Sequence, residues 1–141
     1  MQSSIRLPGG YAPIKAIAFG GPDGDTMPVS ATSPLPVALS MPAANAPLAG
    51  SSAVALVVGP FAPQPGREMW LTLSGTWQGS AQLLRSTDGG VTMLPITLGG
   101  DTTCRYTANV NEPVAVETVT GASWYLDLAP TVGTVAYRVQ Q

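Results

Sequence analysis

The side chains able to do chemistry are few, and the carboxylates come first. Asp88, Asp101, Glu112, Glu117 and Asp127 are the candidate acids, and a glycosidase needs only two such groups facing each other. Nothing in their spacing brings a pair together. Glu112 precedes Pro113 in an expected turn, Asp88 fits a hairpin, and Glu117 and Asp127 fall on adjacent expected strands, turned to solvent. Gly20-Gly21-Pro22-Asp23-Gly24-Asp25 resembles a fragment of a calcium loop. It lacks the further oxygens and the closing bidentate Glu that calcium requires, so a turn is expected there. Cys104 is the single cysteine. Without a histidine or a helix N-terminus beside it to lower its pKa, it reads as a quiet structural thiol. The expected catalytic, cofactor and metal residues are therefore none.

Composition closes further routes. The chain has no His, which removes Ser-His-Asp and Cys-His catalysis and most zinc or non-haem iron sites. Lys15 is the only lysine and precedes an expected Ile-Ala-Phe strand, so no phosphate-binding Gly-Lys-Ser/Thr loop exists. Six basic against eight acidic residues give a net charge of −2. That leaves no basic patch for nucleic acid. Met1 to Gly10 has no apolar core of a secretion signal, and no run approaches the 18 apolar residues of a membrane helix. The expectation is no nucleic acid and no membrane. Only 10% of residues are charged while 45% are hydrophobic. A surface that neutral tends to associate, so the chain is expected to work in an assembly, as a homo-oligomer.

The elements that must position these residues follow from proline and from period. Eleven of the fourteen prolines lie within residues 1–65. Proline fixes φ and removes a ladder donor, so residues 1–52 read as an extended arm. The arm is not a polar linker, because it carries Ile14, Ile17, Phe19, Val29, Leu35, Val37 and Leu39. Pro28-Val29-Ser30 and Leu35-Pro36-Val37-Ala38-Leu39 offer alternate apolar side chains, the pattern of a segment that adds itself to a neighbour's sheet edge. The competing reading is that the arm folds back on its own domain.

Residues 53–141 read as an all-β domain. Short runs of Val, Thr, Leu, Tyr and Trp recur every 8–12 residues between Gly, Asp, Asn and Pro. The spacing predicts an antiparallel β-sandwich, jelly-roll-like, of about eight short strands. These fall near 53–58, 69–75, 80–86, 91–97, 103–108, 113–119, 123–129 and 133–140. Asp88-Gly89 predicts a hairpin; Gly99-Gly100-Asp101, Gly121 and Gly133 predict further turns. No amphipathic helix is expected. Trp70, Trp77 and Trp124 read as core or subunit-interface aromatics, with a carbohydrate-stacking platform as the alternative.

One stretch carries a resemblance. A strand from Leu71 ending in Gly75-Thr76-Trp77-Gln78-Gly79, a second strand ending in Arg85-Ser86, then Thr87-Asp88-Gly89-Gly90 and a third strand resembles small β-sandwich virion proteins of tailed bacteriophages. Gly133-Thr134-Val135-Ala136-Tyr137-Arg138-Val139 is similar to the last strand of such proteins, and Ala31-Thr32-Ser33-Pro34-Leu35-Pro36-Val37 to their arms. The resemblance spans about residues 26–40 and 70–141. It implies a non-enzymatic phage structural protein, often oligomeric, with no position on the particle; the long apolar arm adds the expectation of a capsid decoration or cementing protein, trimeric, docking on the major capsid protein or other virion proteins. It places the protein in the virion, assembled in the bacterial host cytoplasm. A tail, neck or fibre component and a carbohydrate-binding module are the alternatives. No site residues carry over from the resemblance.

Overall fold

The computed structural model describes residues 17–20, 23–35, 37 and 42–141. The chain divides into two compact units, Met1–Met41 and Pro42–Gln141. In the first, β1 (Ala18–Gly20) and β2 (Thr26–Pro28) pair antiparallel with Phe19 opposite Met27. The Val29 amide donates to the Ile17 carbonyl at 3.0 Å and extends the ladder. The Asp23-Gly24-Asp25 segment is the turn of this hairpin, as expected, with Gly24 at φ +83°. Beyond it, Ser30 and Ser33 close a tight turn in which the Ser33 amide donates to the Ser30 hydroxyl at 3.0 Å.

The second unit is all-β, and every strand pairing in it is antiparallel. Its strands are β3 (Leu48–Ser52), β4 (Leu56–Phe61), β5 (Glu68–Ser86), β6 (Leu94–Pro95), β7 (Thr97–Leu98), β8 (Asp101–Thr102), β9 (Arg105–Tyr106), β10 (Val110–Val116) and β11 (Ser123–Gln140). The long strands β5 and β11 pair along almost their whole length, from Ser123 opposite Ser86 to Gln140 opposite Trp70. The first half of β5 takes β10 on its free side and the second half takes β6 and β9. β4 lines the first half of β11 and β3 the second. Pro60 in β4 and Pro113 in β10 stand on strands that bound the sheet, where a missing donor is tolerated.

This pairing differs from the expected eight short strands. The runs at 69–75 and 80–86 are one strand, as are those at 123–129 and 133–140. Gly133 reads as a turn residue, and Gly75 and Gly79 fall at the end of one expected strand and just before the next, but all three sit inside the central ladder, with φ of +77°, +114° and +126° respectively. The reason is close approach. A Cβ on Gly133 would lie 2.0 Å from the Thr76 carbonyl oxygen, and one on Gly79 would lie 2.2 Å from that of Ala129. Three further expectations shrink or move. Residues 91–97 and 103–108 supply only the two-residue strands β6, β7 and β9, and the run expected at 113–119 begins at Val110. Gly99-Gly100 is the expected tight turn: with φ of +63° and +97° it joins Leu98 to Asp101 in a two-residue hairpin.

The core explains the ladder's irregularity. Met69, Leu71, Leu73, Ala81 and Leu83 of β5 are buried, all at odd positions, so one face of the strand points inward throughout. On β11 the buried apolar residues are Trp124, Leu126 and Leu128, then Val135 and Val139. Parity switches between the two runs. The switch is made by one extra residue: Pro130 pairs with Gly79 and Val132 with Gln78, leaving Thr131 unpaired as a bulge. Without it, one run would face solvent. Both halves of the ladder, with Phe61 of β4, contribute to one apolar cluster. Ser74–Ser80, between the two apolar runs of β5, contains no buried residue.

Candidate functional site

The most connected polar group in the structure is Glu117. It lies just past β10 and is 3% exposed. Its Oε2 accepts from Arg85 Nε at 2.7 Å and from Trp124 Nε1 at 2.9 Å. Its Oε1 accepts from Arg85 Nη2 at 2.8 Å and from the amides of Thr118 and Val119 at 3.0 and 2.8 Å. The forked contact with Arg85, aided by the Val119 amide and the Trp124 indole, holds the carboxyl down at about 2 against burial, which opposes it. Arg85 is correspondingly raised. The expectation of a solvated Glu117 is thus overturned. Residues 85, 117 and 124 sit on separate strands or loops, and no local pattern announces their meeting. The sequence signal, visible in hindsight, is a lone charge at the end of each apolar run, Leu83-Leu84-Arg85 and Val114-Ala115-Val116-Glu117. A carboxylate with five donors on its two oxygens is a poor proton acceptor. Its chemistry is structural, tying the end of β10 to β5 and β11.

Asp88 organises the loop between β5 and β6. Its Oδ1 accepts from the Ser86 hydroxyl at 2.7 Å and the Thr92 amide at 2.9 Å, and the Gly90 amide donates to Ser86 Oγ at 2.9 Å. The Thr92 amide and the Ser86 hydroxyl hold the Asp88 carboxyl at about 2. The hairpin expected here exists, but with an eight-residue connection rather than a tight two-residue turn, since Arg85 pairs with Leu94. An open cleft of about 500 Å³ runs beside this loop, lined by Arg85, Asp88, Thr92 and residues 94–97.

The remaining sequence candidates stay apart from this network. Asp127 pairs with Gln82 and Val57, Glu112 with Leu71, and Asp101 closes the β7–β8 hairpin. Cys104 is half-buried and takes φ +56°, unusual outside glycine. Its carbonyl accepts from the Leu83 amide at 3.0 Å. Burial, with Cys104 and Glu112 beside it, pushes the Tyr106 phenol up. Among the described residues no three His, Cys, Asp or Glu side chains gather as metal ligands, and no helix is long and apolar enough to cross a membrane.

The three tryptophans occupy three environments. Trp124 is 3% exposed within the core and bonded to Glu117. Trp77 is half-buried and donates to Asn109 Oδ1 at 2.8 Å. Trp70 lies open on the outer face of β5 with its Nε1 donating to Glu68 Oε2 at 3.0 Å. Of the arm residues singled out in the sequence, Ile17, Val29, Leu35 and Val37 are exposed and Phe19 is half-buried. Ile14 and Leu39 lie outside the described residues. Comparison with protein-family models, curated proteins and solved structures returned no match.

Proposed function

We propose that this chain is a non-enzymatic structural protein of a tailed-phage virion, a capsid decoration or cementing protein that docks through its N-terminal segment. The observation that carries this reading is an apolar segment left uncovered. Ile17, Met27, Val29, Leu35 and Val37 are all exposed large hydrophobics, and Val37 shows 71% of its surface. A segment of that chemistry gains free energy by docking. The second unit supports the reading with its own edge: β3, β4 and their connection carry no charge, and Val54, Leu56 and Val57 are exposed. Sheet edges that stay free usually carry charges. We take the two halves of the long ladder, sharing one core, as the two layers of a sandwich. The partners in this reading are the major capsid protein and further copies of the chain, three to an assembly. The test is quantitative mass spectrometry of purified virions that complement a deletion of this chain, using full-length protein or protein lacking residues 1–41. Full-length chain in a simple large ratio to the major capsid protein, and truncated chain lost from particles, is the expected pair of results. Absence of the full-length chain from particles would reject the reading. A few copies per particle would move it to the tail, neck or a fibre.

A further inference from the structure

The outer face of the sheet formed by β10, the first half of β5, the second half of β11 and β3 has a different chemistry from the edges. Trp70, Thr72 and Ser74 alternate outward from β5, opposite the inward Met69, Leu71 and Leu73. Register places Gln140 and Pro113 beside Trp70, Arg138 and Asn111 beside Thr72, and Ala136 beside Ser74. A depression of about 300 Å³ opens on this face, a size at the lower end of small-ligand sites. The small residues Ala49, Gly50, Ser74 and Ala136 leave room for it, and Thr72, Tyr137 and Arg138 complete its lining.

The polar groups at its margin are fixed. The Thr72 hydroxyl donates to Asn111 Oδ1 at 2.8 Å, which leaves the Asn111 amide nitrogen as a donor. Arg138 Nε donates to Gln140 Oε1, which leaves both terminal guanidinium nitrogens unpartnered among the described residues. Arg138 lines the depression and no acid does. Trp70 stands two residues from Thr72 on the same face, about 7 Å away at strand spacing. Its indole is held by Glu68 and has 36% of its surface open.

We infer that this face is a saccharide-binding site, in which one pyranose ring stacks on Trp70 and a neighbouring acidic sugar enters the depression with its carboxylate on Arg138. An indole face suits the C–H face of a sugar. Hydroxyl and amide groups at fixed positions suit ring hydroxyls, and an unpaired guanidinium suits a carboxylate in forked geometry. A nucleic acid is disfavoured because Arg138 is the one cation at the depression. A protein docking on the face would meet a mainly polar surface on which Trp70 and, at its edge, Val116 are the exposed large apolar side chains.

The test uses the full-length chain on an array of neutral, uronic-acid-containing and sialylated oligosaccharides, followed by titration of the retained sugars. Retention of acidic oligosaccharides is expected. Trp70→Ala and Arg138→Gln should each weaken binding about tenfold or more, while Trp70→Phe, which keeps a flat ring, should keep most of it. Thermal unfolding of each variant separates loss of the site from loss of the fold. Should Trp70→Ala fail to fold, Arg138→Gln and Trp70→Phe carry the test. No retention of any oligosaccharide overturns the inference. So does retention that is indifferent to both substituted positions, and retention of neutral sugars alone removes the role of Arg138.

Discussion

Replacing Glu117 by Gln removes one charge and little volume, and the structure fixes what this should do. The carboxylate is 3% exposed and accepts five hydrogen bonds, two of them from one guanidinium. A carboxyl held at about 2 rather than its ordinary 4.5 contributes about 3 kcal/mol of folding free energy at neutral pH, at about 1.4 kcal/mol per tenfold in proton affinity. The folded pKa is depressed, so this stability is fully present above about pH 4.5 and is lost as pH falls toward 2. Gln presents an NH2 group to donors on one side and leaves Arg85 without its counter-charge. Breaking a buried pair on one side costs about 3–5 kcal/mol; with Arg85 partly exposed, about 2–4 kcal/mol is expected. The assay is urea unfolding of both proteins at intervals from pH 7 to pH 2. The difference in unfolding free energy should be largest at pH 5–7 and should shrink to near zero by pH 2. Because Asp88 titrates low in both proteins, it cancels in that difference. A gap below 0.5 kcal/mol at pH 7, or one that does not change with pH, would refute the account of Glu117 as the structural anion.

Two further perturbations test the ladder. Gly133→Ala should destabilise by about 2–4 kcal/mol, because the new methyl meets the Thr76 carbonyl oxygen at 2.0 Å and the residue sits at φ +77°. Gly121→Ala, at φ +84° in open space, should cost only about 1 kcal/mol, and equal melting temperatures for the two would contradict the close-approach argument. Ser123→Ala should be neutral or stabilising by up to about 1 kcal/mol, since the Ser123 hydroxyl is buried with no partner among the described residues; a clear fall in denaturation midpoint would show that the hydroxyl has a partner.

The β class was legible because period-2 alternation survives in the residues themselves. Met69, Leu71 and Leu73 against Trp70, Thr72 and Ser74 is the same pattern in sequence and in burial. The Gly99-Gly100 turn was legible because its chemistry is local; at Asp88 the reversal of the chain was legible but not the length of its loop. Strand continuity was not. Gly75 and Gly79 look like breakers, yet they are paired opposite Val135 and Pro130. A glycine at a close crossing of backbones and a glycine in a turn read identically in one sequence. The Glu117 network was hidden for a different reason. Its partner lies 32 residues away on another strand, and a charge at the end of an apolar run reads as solvated until tertiary structure supplies its counter-charge.

The bulge at Thr131 and the Arg85–Glu117 pair answer the same geometric problem. A strand pair as long as β5 and β11 has two apolar runs separated by an exposed middle, and both must face one core. The bulge corrects the parity of β11, so that Leu128 and Val135 both point inward although they stand seven positions apart. That places the side chains but does not fasten the halves. Glu117 follows β10, which pairs with the first half of β5, whereas Arg85 and Trp124 belong to the opposite end of the ladder. The carboxylate therefore bonds across from one half to the other, and the Gly66 amide donates to the backbone carbonyl of Glu117 at 2.7 Å. Apolar contact alone is non-directional; three directed bonds to one buried anion, two from Arg85 and one from Trp124, select a single arrangement of the two halves. The outer face bearing Trp70 and Arg138 is then held in one shape, which is what a site built from several strands requires.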